Sequence, residues 1–486
     1  MKPIISVVGN HGSPIPTLTK ILWSNSTFVA GEHLNHNSTP PMPINLPGNA
    51  PYVFSFLNPL AADPKFRISL SNYTTVKPGD PGTSVFWVFD PTGPSWVQKG
   101  QPSPMNPPFN PYAFANIKYG ASPYEVPYLV VADYDSANNN GGTLCLVSMS
   151  STDAYARVAS LGIANQTSGG YTYQAHVQDV HVDGDRIFAL VIYSSILSTA
   201  PFNLQYIQSE LREYALTGSG SNIAFTQVGA TRALSKNAVS LVPYIDSVNS
   251  KKYLFAPCIG GMQNFGPLNN GAESSLSLFD ITSAIGYEQK PYIGGVATGL
   301  HDFRGFAISS DGIAYILTGD YGTDGSMSCS LYQDTAANLI GKASGTIPRS
   351  LLIKSAVNTS AYFWALGICD NGYGEEYLAF AKGSNYDPTA IMAYDELHLL
   401  KVGQTWSDIG DTYNVIIPPN SVTGGVAGLT EETSGGFAIN SMDISVLGGL
   451  SVRMKSAVRP PHAPKSPDEP TEEPSDEPTE EPSDKD

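Results

Sequence analysis

A chain of 486 residues with a net charge of −17, 41% hydrophobic residues and 14% charged ones holds enough apolar material for a large core. Its 46 glycines and 38 prolines favour many short strands joined by turns over long helices. No apolar run approaches the ~20 residues of a membrane-spanning helix, and no basic cluster offers a surface to nucleic acid or anionic membrane.

At the N-terminus, Met1-Lys-Pro-Ile4-Ile-Ser-Val-Val8-Gly carries an apolar run of about five residues, short of the roughly 7–15 of a secretory signal. Ile4–Val8 is predicted to be a strand that joins the last unit of the chain, because pairing the two chain ends in one sheet removes open edges. Glu32-His33-Leu-Asn-His36 places two histidines three residues apart in what reads as a solvated polar loop. Phe66–Leu70 and Ser84–Asp90 read as the second and third strands of a first, blurred unit.

From there a short motif recurs: Tyr128-Leu129-Val-Val-Ala, Arg186-Ile187-Phe-Ala-Leu, Tyr253-Leu254-Phe-Ala, Gly312-Ile313-Ala-Tyr-Ile, Tyr377-Leu378-Ala-Phe and Gly436-Phe437-Ala-Ile. The second residues stand 58, 67, 59, 65 and 59 positions apart. That period exceeds a helical solenoid repeat and suits a four-stranded unit with long loops.

Unit three shows the grammar. Val177–Val182 is a first strand, Asp183-Gly184-Asp185 a tight turn, Ile187–Tyr193 a second strand, Glu210–Leu216 a third and Ile223–Val228 a fourth. Unit five repeats it around Ser310-Asp311-Gly312, and Gly448-Gly449 predicts a closing hairpin between Asp443–Leu447 and Leu450–Met454.

The organisation resembles the β-propeller superfamily at large, over roughly residues 50–456, without a subfamily signature. It implies an all-β, single seven-bladed propeller over residues 1–456, with six and eight as neighbouring counts. Residues 457–486 contain the octad Asp468-Glu-Pro-Thr-Glu-Glu-Pro-Ser475 written twice, and the last 22 residues carry −8 of the net charge. Such a Pro- and acid-rich segment is expected to be a disordered, extended spacer. It resembles the stalks of bacterial envelope-anchored proteins, which implies a secreted or cell-surface protein whose signal peptide and anchor lie outside this sequence.

Chemistry is sparser than architecture. Cys145, Cys258, Cys329 and Cys369 form no CxxC or Cys/His cluster and read as buried thiols, with one disulfide as the alternative. Two units lead into their first strands with histidine and acid: His176-Val-Gln-Asp179-Val-His181-Val-Asp183 and His301-Asp302-Phe-Arg304. His176 and His301 precede their anchors by 11 and 12 residues and so occupy nearly equivalent places. Strand alternation places Asp179, His181 and Asp183 on one face, and Asn237 adds a polar group to the same rim.

A converging set of this kind could hold a divalent cation or activate water; the plainer reading is hydrogen bonding between repeats. Asp133-Tyr-Asp135-Ser-Ala-Asn138 has the oxygen-rich composition of a calcium loop, but lacks the spacing of an EF-hand. The expectation that follows is a monomeric, non-catalytic module binding a protein or carbohydrate ligand on one propeller face. The alternative is a metal-assisted hydrolase or lactonase-like enzyme with its site at the channel mouth.

Overall fold

The computed structural model describes residues 51–62, 111–121, 124–134, 142–199, 202–260, 275–283, 303–321, 327–341, 374–384 and 396–403, together with the other strands named below. The predicted spacer at 457–486 and the loop at 135–141 lie outside the described residues, as do His301 and Asp302.

The described strands assemble into seven antiparallel sheets, five of them four-stranded meanders in chain order. Sheet one is Pro51–Leu57, Phe66–Asn72, Val85–Asp90 and Val97–Pro104, so the first unit has the two strands read from its sequence. Sheet two is Pro111–Tyr119, Val126–Tyr134, Gly142–Met149 and Tyr155–Gly162. Sheet three is built on three long strands, Tyr171–Asp183, Arg186–Thr199 and Phe202–Thr217. The outer edge of the third carries both Ala224–Gln227 and Arg232–Lys236, and Gln166–Ser168 pairs with the first.

Sheet four is Val242–Asp246, Lys251–Cys258, Ser275–Asp280 and Glu288–Gly294. Sheet five is Phe303–Ile308, Ile313–Tyr321, Met327–Thr335 and Ser350–Lys354, with a short helix at Ala336–Gly341. Sheet six is Ala361–Asp370, Glu376–Ser384, Glu396–Lys401 and Tyr413–Ile416.

The seventh sheet joins the chain ends. Ile4–His11 pairs with Phe437–Val446, which pairs in turn with Leu450–Arg453. The predicted closing role of Ile4–Val8 is therefore present. Two further strands, Pro16–Ser24 and Thr27–Leu34, extend this sheet, and His33 sits in the second of them opposite Thr19, not in a loop.

Neighbouring sheets pack through their first strands in a closed succession: Pro51–Leu57 on Pro111–Tyr119, that strand on Tyr171–Asp183, and Val242–Asp246 on Phe303–Ile308. Phe303–Ile308 then meets Ala361–Asp370, which meets Phe437–Val446, which returns to Pro51–Leu57. Sheets three and four meet through Arg232–Lys236 against Lys251–Cys258. This is an all-β, propeller-type architecture.

The packing explains the recurring motif. A sheet covered on both faces needs a second strand that is apolar on both. In Arg186–Thr199, Ile187, Ala189, Val191 and Tyr193 join a core shared with sheet two, whereas Phe188, Leu190 and Ile192 join one shared with sheet four. The hairpin before it turns through Gly184 at φ 66°, a conformation costly for side chains with a Cβ. Sheets two and three approach so closely that a Cβ on Gly142 would stand 2.6 Å from the Val177 nitrogen.

Candidate functional site

Each sheet has a turn end, where first and second strands are joined, and a leading end, where the chain enters the first strand. The sequence candidates divide between them in sheets three and four.

At the turn end, His181 stacks on Phe188 with ring centroids 6.3 Å apart, and Asp183 accepts a 2.7 Å hydrogen bond from Lys252 Nζ of sheet four. Burial pushes His181 down to about 4; Asp183 opposes this and Lys252 adds to it. Arg186 donates from Nε to Glu213 Oε1 at 2.6 Å and from one terminal nitrogen to the carbonyls of Ile281 and Ser283 in sheet four. Its guanidinium also lies 4.8 Å from the Phe188 ring centroid.

Sheets one and two carry a similar device. Arg67 donates to both oxygens of Asp153, at 2.9 and 3.0 Å, with Asn58 and Tyr155 completing the shell. Burial alone would raise the Asp153 carboxyl, but the hydrogen bonds from Arg67, Asn58 and Tyr155 outweigh it and hold the group below the usual range. Arg67 is the second residue and Arg186 the first of a second strand, a positional signal carried by the sequence.

The leading end differs. A β-bulge at Gln178 interrupts the first strand, since Val177 pairs with Val191 and Asp179 with Leu190. Asp179, His181 and Asp183 alternate beyond it and share the face predicted for them. Asp179 is buried and its carboxylate is engaged: Oδ1 accepts from the Val180 amide at 2.9 Å, and Oδ2 from the Leu241 amide of the segment entering sheet four at 2.8 Å. Gln178 Nε2 reaches the Val239 carbonyl of that segment at 3.4 Å. The hydrogen-bonding reading therefore describes Asp179.

His176 lies two residues before the bulge, half-buried, with Nε2 2.9 Å from Ser194 Oγ. Burial pushes its pKa down to about 4, so the ring is neutral at ordinary pH. Ser194 carries no motif, and only the strand register of the structure brings it to His176.

The first strand of sheet five has the same bulge, at Arg304, because Phe303 pairs with Thr318 and Gly305 with Leu317. Measured from the bulge, the residue in the place of His176 is Asp302, not His301. Counting from the second-strand anchors gives the same match, because each bulge stands nine residues before its anchor, Ile187 or Ile313. The side chains of His301, Asp302 and Arg304 lie outside the described residues.

Asn237 takes a positive φ of 53° and is 8% exposed. Its carbonyl accepts from the Ile259 amide at 3.0 Å, and the next residue, Ala238, donates to Ser209 Oγ at 3.2 Å. Ser235 and Ser275 hydroxyls meet close by at 2.7 Å. Cys145 and Cys258 are buried, and burial pushes the Cys258 thiol up to about 12, which makes it a poor nucleophile. The side chains of Cys329 and Cys369 are outside the described residues.

On the opposite face of sheet three, Glu210, Arg212 and Tyr193 close a triangle. Arg212 donates to Glu210 Oε2 and to the Tyr193 oxygen, Tyr193 donates to Glu210 Oε2, and Gln166 donates to Glu210 Oε1. The unit satisfies itself.

For metal binding, no group of three His, Cys, Asp or Glu among the described residues is placed to hold an ion. Of the predicted calcium loop, the structure describes only the backbone of Asp133, paired with Thr143; Asp135 and Asn138 lie outside. The described donors therefore do not compose a cation site.

No protein-family model matches the chain, and no curated protein matches it. Among solved structures, it is similar to a variant of the Synechocystis apocarotenoid oxygenase at 10% identity and TM-score 0.45, over 85% of this chain and 89% of that one. It is also similar to the periplasmic gluconolactonase PpgL of Pseudomonas aeruginosa at 12% identity and TM-score 0.40, over 86% and 100%. An exo-1,5-alpha-L-arabinanase from a bovine ruminal metagenomic library follows at 11% identity and TM-score 0.30, over 60% and 97%. All three are enzymes, and the expectation of a non-catalytic binding module is corrected on that finding. The enzyme alternative is the reading carried forward.

Proposed function

We propose that the chain is a seven-bladed propeller over residues 1–456 that acts as a lactonase-like hydrolase, with its site at the channel mouth where the first strands begin. One observation carries this reading: a half-buried, neutral imidazole and a serine hydroxyl held 2.9 Å apart at the leading end of sheet three. That separation is within the range in which a base takes a proton from a nucleophile.

In the proposed step, the oxygen of Ser194, or of a water in its place, attacks the ester carbonyl carbon. Its proton passes to His176, and the imidazolium returns it to the alkoxide that leaves as the ring opens. Where Ser194 attacks, the acyl-serine it forms is cleaved in turn by a water that gives its proton to His176, which returns it to the Ser194 oxygen; by either route one water is consumed and one hydroxy acid formed. A pKa near 4 keeps His176 in its accepting form over a wide pH range, while making it a modest base. The acid limb of activity is therefore expected near pH 4, not near the ordinary histidine value.

The test is a panel of aliphatic esters and five- and six-membered lactones, assayed with the full chain, with and without chelator and added divalent cations. Turnover that falls at least about a hundredfold in His176→Gln supports the reading. Absence of turnover in every arm ends it. A chelator-sensitive rate would draw His301 and Asp302 into the site, and metal content before and after His301→Ala would decide that point.

A further inference from the structure

We infer that the C-terminal segment leaves the propeller through its central channel. Residues 454–459 add as a strand to the inner edge of Phe437–Val446, and the acidic end of the chain is thereby brought over the mouth at the leading end. This goes beyond the hydrolase reading and stands or falls without turnover.

The position of Leu450–Arg453 carries the inference. In the ring of sheets, Phe437–Val446 takes the first-strand place, between Ala361–Asp370 of sheet six and Pro51–Leu57 of sheet one. Ile4–His11 takes the second-strand place beside it. Leu450–Arg453 pairs with the opposite edge of Phe437–Val446, away from Ile4–His11. It also packs against Ala361–Asp370 and Pro51–Leu57, the first strands on either side. A strand so placed lies inward of the ring of first strands, in the channel.

Its direction follows from the pairing. Hydrogen bonds between sheets join turn end to turn end: the Asn116 amide to the Leu57 carbonyl at 2.7 Å, Lys252 to Asp183, and the Ser310 amide to Glu376 Oε2 at 2.9 Å. First strands therefore run the same way around the ring, and Phe437 marks the leading end of sheet seven. Leu450–Arg453 is antiparallel to Phe437–Val446, so it starts at the turn end and heads toward the mouth. Its last residue, Arg453, stands opposite Asp443.

Six residues of the first strand lie beyond that point, Phe437 to Met442, a run of about 20 Å. No described strand pairs with their inner edge. The sequence supplies a segment of matching length: Met454-Lys-Ser-Ala-Val-Arg459, free of proline and glycine, followed at once by Pro460-Pro461. Continued register brings Arg459 level with Phe437, so the prolines, which cannot donate to a ladder, begin where the edge ends. An open edge is a template for an added strand, and a segment already tethered in register reaches it at high effective concentration.

What emerges at the mouth is strongly charged. The last 22 residues hold ten carboxylates against two lysines. Tethered over the leading end, they repel anions at low salt and leave uncharged molecules unopposed. Ligands of the leading end are therefore expected to be uncharged or cationic.

The experiment places a nitroxide on Ala463→Cys in the full chain, labelled at histidine, with the parent chain treated alike as baseline. The His176 ring signals should broaden at least about twofold more than those of His181, which stands about 15 Å farther along the strand toward the turn end. Adding Ser456→Pro and Ala457→Pro removes a ladder donor and should cut the His176 broadening by at least about half. Equal broadening of the two rings, or stronger broadening of His181, overturns the inference; so does unchanged broadening of His176 in the proline variant. A soluble anionic nitroxide should broaden His176 of the parent chain about threefold less than a neutral one at low salt, and equally at 1 M salt. Equal effects at low salt overturn the acidic cover. None of these signals depends on ester turnover, so the hydrolase reading can fail while this inference stands, and the reverse.

Discussion

The two ends of sheets three and four are built from different chemistry. At the turn end, charge holds sheet to sheet: Arg186 joins Glu213 to two carbonyls of sheet four, and Lys252 reaches back to Asp183. At the leading end the bridging groups are an amide, a carboxylate engaged by backbone amides, and hydroxyls, with His176 kept neutral. Charged fastening and the proposed site thus stand at opposite ends of the same strands.

The sharpest way to break this comparison is to remove a turn-end cation. Arg186→Ala leaves the Glu213 carboxylate buried at 2% exposure with no countercharge. Removing one partner of a buried pair costs about 3–5 kcal/mol, and denaturant unfolding should show a loss of that size. The double substitution Arg186→Met with Glu213→Leu should recover most of it, because the penalty is the uncompensated charge and not the missing attraction. A comparable loss in the double variant would mean that the arginine acts through its bonds to Ile281 and Ser283 instead.

Next in size is Gly142→Ala. The added methyl meets the Val177 nitrogen and the His176 backbone at 2.6–3.0 Å, and sheets two and three must shift apart. About 1–3 kcal/mol is expected from such overpacking. Because His176 itself is displaced, the variant should also perturb the leading end, where Arg186→Met with Glu213→Leu should not.

A change of pH acts on both ends. His176 and His181 each titrate near 4 in the folded chain against about 6.5 when unfolded, so the unfolded chain binds more protons between those values. Stability should be complete above pH 6.5 and fall as the pH drops toward 4. Unfolding midpoints at pH 7, 5.5 and 4.5 measure this, and the slope should shrink in His181→Phe. A flat profile in the parent chain would contradict the burial of both rings. The smallest effect is Lys252→Ala, where a half-exposed ion pair contributes no more than about 1 kcal/mol.

Much of the fold was legible because its signals are local. The two-residue turn at Gly184, the doubly apolar second strands and the acceptor strand for Ile4–Val8 follow from glycine conformation and burial on two faces. The strands Pro16–Ser24 and Thr27–Leu34 were missed, because the seventh sheet draws on both chain ends and no spacing rule connects them. The candidate site was half legible. His176 and Asn237 stand out as polar residues at the start of a unit, but Ser194 has no signal beyond its register opposite Gln174. The bulges were invisible too, although the anchor spacing alone already matches His176, eleven residues before Ile187, with Asp302, eleven before Ile313.

The most direct test of the account compares one residue from each end in the same assay. Hydrolysis of the best lactone or ester by His176→Gln and by Lys252→Ala should differ by at least about a hundredfold, with Lys252→Ala close to the parent chain. Equal losses in the two variants, or full activity in His176→Gln, would contradict the assignment of chemistry to the leading end.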